Sequence, residues 1–107
     1  MKARVIASEQ ADLDVVEEHA WWQEHRADSP GLFLDELADA YTLLAEQPLA
    51  GIACTLAEGR IVRRLILKRT RHHVYYEYQP AHGCVVVHSV WGAVKLRQPQ
   101  IGKSRSR

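Results

Sequence analysis

The sequence is short of the features that mark membrane, secreted, redox and metal-binding proteins. Its longest apolar runs, such as Cys84 to Val87 and Val74 to Tyr76, fall far below the roughly 20 residues that cross a bilayer, so no membrane role is expected. Met1 to Gln10 holds no apolar stretch ending in a small-residue cleavage site, which argues against a secretion signal and makes a cytoplasmic protein the expectation. There are two cysteines, Cys54 in an expected loop and Cys84 in an expected strand, with no CxxC spacing and no histidine cluster beside them. That argues against a dithiol redox motif and a zinc site, and both read as free thiols. No phosphate-binding glycine loop, Ser-His-Asp arrangement or metal-ligand spacing is present, so neither a cofactor nor a metal is expected.

Acidic residues are scarce in one half only. From Met1 to Gly59 three basic residues, Lys2, Arg4 and Arg26, face twelve acidic ones, whereas from Arg60 to Arg107 eleven basic residues face Glu77 alone. The formal net charge of +1 therefore conceals two halves of opposite sign. A chain of 107 residues has room for one core, so these halves fold onto one another and the separation marks interaction surfaces. Pairing between helix carboxylates and strand arginines offsets part of it. With 47% hydrophobic and 25% charged residues the composition is that of an ordinary globular domain, expected over residues 1–98. Residues 99–107, ending Gly102-Lys103-Ser104-Arg105-Ser106-Arg107, are too polar to pack and read as a flexible basic tail.

After an extended start from Ala3 to Ala7, Ser8 is placed to cap a helix from about Glu9 to His25, whose early Glu9, Asp12 and Asp14 suit the helix dipole. Leu13, Val16 and Ala20 recur at helical spacing and form its expected apolar face, with Glu17, Glu18 and Glu24 largely opposite. Asp28-Ser29-Pro30 signals a second helix, with Ser29 as cap and Pro30 in the first helical position. Its stripe is Leu34, Leu37, Ala38, Tyr41, Leu44 and Ala45, and Pro48 ends it. The short link makes the pair an antiparallel hairpin.

Leu49 to Gly59, with Gly51 and Gly59, reads as a connecting loop. Ile61 to Lys68, His73 to Gln79 and Cys84 to Trp91 are then rich in β-branched and aromatic residues and form an antiparallel meander. Alternation sets Val74, Tyr76 and Tyr78 against His73, Tyr75 and Glu77, and Val85, Val87, Ser89 and Trp91 against Cys84, Val86, His88 and Val90. The fold class is α+β: an N-terminal strand and an antiparallel helical hairpin packed on a small, mainly antiparallel sheet.

The densest candidate for function is Arg60, Arg63, Arg64, Lys68, Arg69 and Arg71, followed at once by His72, His73, Tyr75 and Tyr76. Guanidinium groups pair phosphate oxygens and rings stack on bases, so the pattern suits a polyanion; it suits an acidic protein helix equally, and a solvated strand face is the plainer alternative. His73 and His88 lie on neighbouring strands, where a suitable register would allow acid–base work, although two surface histidines are commoner. Trp21 and Trp22 cannot both face the core, which makes one a candidate anchor for a partner, and Trp91 is open to the same two readings.

The succession Ala11-Asp12-Leu13 with Val16, Phe33-Leu34-Asp35-Glu36-Leu37, Leu43-Leu44-Ala45-Glu46-Gln47-Pro48, Val62-Arg63-Arg64-Leu65 and His73-Val74-Tyr75-Tyr76 resembles toxins of the RelE/ParE family over residues 3 to about 95. The resemblance implies the fold just described and a toxin of a type II toxin–antitoxin system. Such a toxin acts on DNA gyrase in the ParE-like branch, or as a ribosome-dependent mRNA endonuclease in the RelE-like branch, and a flexible antitoxin of the ParD/RelB kind neutralises it in a hetero-oligomer.

On the same resemblance, the target-binding set is Arg60, Arg63, Arg64, Lys68, Arg69, Arg71, His73, Tyr75 and Trp91, and the antitoxin-binding set is Leu13, Val16, Trp21, Trp22, Leu34, Leu37 and Tyr41. A nuclease would draw on Arg64, His73 and His88. Ala93 stands where a nuclease of this family is expected to carry a basic side chain, and no tyrosine follows, so the ParE-like branch is favoured and no catalytic residue is assigned. A nucleic-acid-binding module without toxicity is the third reading.

Overall fold

Ser8 turns the extended start of the chain into a helix. The computed structural model describes residues 2–92. In it strand β1 (Arg4–Ala7) ends at Ser8, whose Oγ accepts the Ala11 N–H at 3.0 Å and caps helix α1 (Glu9–His25). The second helix, α2 (Leu32–Glu46), starts later than Pro30, at a Gly31 cap with no side-chain bond. The Ser29 carbonyl accepts both the Trp22 indole N–H at 2.7 Å and the Leu32 N–H at 3.2 Å, which holds the segment before Leu32 as a turn.

Four further strands follow: β2 (Ile52–Thr55), β3 (Ile61–Leu67), β4 (His72–Gln79) and β5 (Cys84–Gly92), with a single 3-10 turn at Pro80–His82 between the last two. The sheet order is β1-β5-β4-β3-β2, with β1 parallel to β5 and the other neighbours antiparallel. Over the described residues the molecule is α+β, two helices packed on a five-stranded mixed sheet. The expected loop from Leu49 to Gly59 thus contains an edge strand, and Cys54 lies in it. Only four residues long and largely exposed, β2 has no buried alternation to betray it; its pairing with β3 defines it. The expected basic tail and Ala93 lie outside the described residues.

Ala11 and Trp22 of α1, Phe33, Leu37, Ala40 and Leu44 of α2, and Leu67, Val74, Tyr76, Val85, Val87 and Val90 of the sheet form one apolar cluster. The expected face of α1 is rotated away from this core: Leu13 and Val16 are 60% and 70% exposed and Ala20 is exposed too, while the buried line is Ala11, Asp14, Glu18 and Trp22. Two buried carboxylates defeat a reading by hydrophobicity. Asp14 Oδ2 accepts the Val90 N–H at 3.0 Å, on a stretch of β5 that runs past the end of its pairing with β1. Glu18 Oε1 stands 3.1 Å from His72 Nε2. In α2, Leu37 and Leu44 of the expected stripe are buried, Leu34 and Ala38 are exposed, and Phe33 and Ala40, outside that stripe, are in the core instead.

The alternation of β5 also breaks once. A bulge between Tyr75 and Tyr76 of β4 sets Tyr76 against Val87 and Tyr75 against Ser89, leaving His88 as the extra residue. Val85 and Val87 share a face, as alternation set them, and that face meets the helices. Beyond the bulge the phase reverses, so Val90 and Gly92 face inward and Ser89 and Trp91 share the other face with Tyr75 and His73. No described helix is long and apolar enough to cross a membrane.

Tyr76 joins the sheet to the segment after α2. Fully buried, its hydroxyl donates to the Pro48 carbonyl at 2.8 Å and accepts the Gly51 N–H at 2.8 Å. Tyr76→Phe keeps the ring and strands both partners, so we expect a loss of about 1–3 kcal/mol in unfolding free energy. Chemical denaturation measures it, and an unchanged midpoint would show that the hydroxyl contributes nothing.

Candidate functional site

Cross-strand register sorts the candidate residues between two faces. Arg64 pairs with Tyr75 and Tyr75 with Ser89; one step along, Ile66 pairs with His73 and His73 with Trp91. Partners in register share a face, so Arg64, Tyr75 and His73 stand together on the side away from the helices, in neighbouring rows about 4.8 Å apart from strand to strand. His73 Nδ1 lies 3.4 Å from the Tyr75 hydroxyl, with the two rings edge to face at 6.2 Å. Partial burial, and then the positive charge of Arg64 and His72, hold the His73 imidazolium below its ordinary range. Burial raises the Tyr75 phenol against the opposing pull of Arg64. The cluster therefore offers a fixed cation, a neutral imidazole and a protonated phenol side by side at neutral pH.

His88 is elsewhere engaged. Its Nε2 is 2.9 Å from Glu77 Oε1, and the same oxygen lies 3.5 Å from Arg60 Nε. The bulge puts Trp91, not His88, opposite His73, so the expected cross-strand histidine pair does not form. Glu77, the single acid of the basic half, thus pairs with Arg60 and His88 and leaves Arg64 without a carboxylate among the described residues.

The remaining basic residues disperse. Arg63 points to the other face, where its guanidinium donates to the Gly51 carbonyl at 2.9 Å and braces the start of β2. Lys68 is exposed just past the end of β3. Arg69 and Arg71 sit in the turn before β4, beside Thr70, and Arg71 adopts a left-handed backbone with φ 61°. Trp91 is 4% exposed, so it is an interior residue and not a contact on the surface. Its expected place in the target-binding set is corrected accordingly.

The helical candidates divide in the same way. Leu13, Val16 and Leu34 are exposed, Trp21 and Tyr41 are half-buried, and Trp22 and Leu37 belong to the core and cannot meet a partner. Trp21 stacks on His25 with ring centroids 4.3 Å apart. Burial, then the nearby Asp12 carboxylate, pushes the Tyr41 phenol up to about 12.

Sequence reasoning passed over Glu18, Thr70 and Glu36. Glu36 Oε1 accepts the Thr70 N–H at 2.9 Å and the Thr70 hydroxyl at 2.8 Å, and Glu36 Oε2 accepts the Arg69 N–H at 2.8 Å. With its proton given to Glu36, the Thr70 oxygen accepts from His72 Nδ1–H at 2.9 Å, and His72 Nε2 faces Glu18. No local pattern links them in the sequence: Glu18 lies 54 positions from His72 and Glu36 lies 34 from Thr70.

No protein-family model matches this chain, and no curated protein matches it. Among the described residues no group of three or more His, Cys, Asp or Glu side chains stands together as a metal site would require.

The depressed basicity of His73 has a measurable sign. Below its ordinary value of 6.5 the unfolded chain takes up a proton that the folded chain refuses, so His73 subtracts stability as pH falls through 6.5, until its folded value is passed. We expect the His73 ring resonance to titrate with a midpoint below 6.5 in an NMR pH series, and Arg64→Gln to move it part of the way back. A midpoint at or above 6.5 would show that burial and Arg64 do not control this ring.

Proposed function

We propose that this chain is the toxin of a type II toxin–antitoxin pair, of the RelE/ParE kind and its ParE-like branch. It acts in the cytoplasm by binding DNA gyrase, and an antitoxin of the ParD/RelB kind neutralises it. The observation that carries the proposal is the two-sidedness of the molecule. One sheet face carries Arg64, Tyr75 and His73 on the side away from α1 and α2, and the opposite side presents that helix pair with Leu13, Val16 and Leu34 in solvent. The element order, one strand, two helices and a meander with the first strand beside the last, supports the resemblance seen in the sequence. The helical side suits an antitoxin segment that folds as it binds, and the basic face suits the target.

Binding without catalysis is favoured because the acid–base pair a nuclease would draw on is split. His88 bonds Glu77, and His73 faces Trp91. A specific observation still supports the ribosome-dependent mRNA endonuclease as a second reading: His73, held neutral, lies beside the Tyr75 hydroxyl, and Arg64 stands across from Tyr75 on β3, an arrangement able to accept a proton beside a phosphate.

Induced expression of the chain alone should arrest growth, and co-expression with the reading frame beside it should restore growth and yield a co-purifying complex. Unaffected growth together with strong duplex binding would replace this reading by a nucleic-acid-binding module. Between the two toxin mechanisms, Arg64→Ala and Lys68→Ala should weaken toxicity in graded steps, while His73→Gln and His88→Gln leave it nearly unchanged. A nuclease would lose on the order of 100-fold or more with its acid or base. Plasmid supercoiling and primer extension on translated mRNA are the paired readouts, and codon-phased cuts that vanish in His73→Gln would select the nuclease.

A further inference from the structure

Three arginines converge at the end of the molecule where α1 stops and β3 turns into β4. A pocket of about 90 Å³ is lined there by Trp21, Trp22, Arg26, Arg69, Thr70 and Arg71. No carboxylate lies within ion-pair distance of the three guanidiniums among the described residues. Arg26, exposed at the rim, stands over both indoles, its guanidinium carbon 5.9 Å from each ring centroid, which fixes the charge against the two rings. The nearest acid of the turn, Glu36, has its oxygens occupied by the Arg69 N–H, the Thr70 N–H and the Thr70 hydroxyl.

The backbone supplies a second observation. Arg71 holds φ at 61°, a left-handed conformation that glycine or asparagine adopts at less cost. A charged side chain kept at a position that disfavours it is what a binding role produces.

We propose that this pocket binds one phosphate group of a nucleic-acid chain. Arg26 Nη1 donates to the His25 carbonyl at 3.2 Å, but none of the three guanidiniums has a carboxylate partner among the described residues, and together they match a phosphate in charge and in planar donor geometry. The volume accommodates a phosphate but is well short of the roughly 300 Å³ at which pockets for whole small ligands begin, so the rest of the ligand lies outside it. A path for the chain is present. Lys68 adjoins the turn, and Arg64 stands four residues back along β3, about 13 Å away on the face that carries Tyr75 and His73. A polyanion that leaves the pocket, which α1 lines on the helical side, reaches that face by passing over the turn between β3 and β4. The proposal deepens the target-binding reading above and rests on it for the biological source of the nucleic acid, DNA at gyrase or RNA at the ribosome.

The test is titration of the full chain with an unstructured single-stranded oligonucleotide, read by the fluorescence of Trp21 and Trp22 and by affinity against salt. Arg26→Gln, Arg69→Gln and Arg71→Gly should each weaken binding about tenfold at moderate salt. Each should also lower the slope of log affinity against log salt by about 0.7. Arg71→Gly relieves the left-handed backbone, so a loss of affinity there cannot come from misfolding. Lys2→Gln, at a residue paired with Glu46 outside the pocket, should change affinity only slightly. Pocket variants that bind the oligonucleotide as the parent does would overturn the proposal. So would capture of inorganic phosphate alone, or of an acidic peptide in preference to the oligonucleotide. Toxicity is scored separately: a chain that does not arrest growth but binds through this pocket refutes the toxin reading and leaves the pocket standing, and a toxic chain indifferent to the pocket variants does the reverse.

Discussion

The architecture depends on a buried imidazole held between two helices. His72 is 1% exposed and lies between Glu18 of α1 and Thr70, which Glu36 of α2 grips by both its N–H and its hydroxyl. Nδ1–H is given to Thr70, and Nε2 lies 3.1 Å from Glu18 Oε1. Groups of this polarity cost several kcal/mol to bury singly, and they are tolerated because each satisfies the next. The chain of contacts fixes where both helices sit on the sheet. Phe33 and Trp22 pack their rings beside His72, and Gly92 is without a side chain where a Cβ would lie 2.6 Å from Glu18 Oε1.

Because both helices are committed to one face, the other is left to β3, β4 and β5. Ser8 and Asp14 complete that division at the edge of β5, taking the His88 carbonyl and the Val90 N–H where β1 has ended. The bulge at His88 lies between those two contacts. It delivers Val90 to the core and aligns Tyr75 and His73 with the row that begins at Arg64. The geometry of the basic face therefore follows from how α1 seals the last strand.

Much of this was legible before any coordinates, where local chemistry and local pattern agree. The Ser8 cap, the exit of α2 before Pro48, and the opposition of Val74 and Tyr76 to His73, Tyr75 and Glu77 needed only short-range information. The failures share a cause. Leu13 and Val16 look like a core face and Asp14 and Glu18 do not, because the partners that make the carboxylates buriable, the Val90 N–H and His72, are more than fifty residues away in the chain. The phase change at His88 and the edge strand Ile52–Thr55 are likewise properties of pairing, which no single segment carries. Of the basic run, Arg64 shares a face with His73 and Tyr75 through the cross-strand register, which alternation within one strand does not fix, and the turn that sends Arg69 and Arg71 toward Arg26 was likewise visible only in three dimensions.

The pairing of β1 with β5 sets a clock on the molecule's assembly. Ser8 and His88 touch across 80 positions of sequence, and the first strand has no hydrogen-bonding partner until the last has been synthesised. Helices α1 and α2 emerge from the ribosome long before His72 and Val90 exist to neutralise Glu18 and Asp14. On a growing chain the buried carboxylates are in water, the sheet is unbuilt and the row from Arg64 to Tyr75 has no frame. Contacts this distant in sequence form late and together, so the surface on which any activity depends comes into being only as translation of the domain finishes.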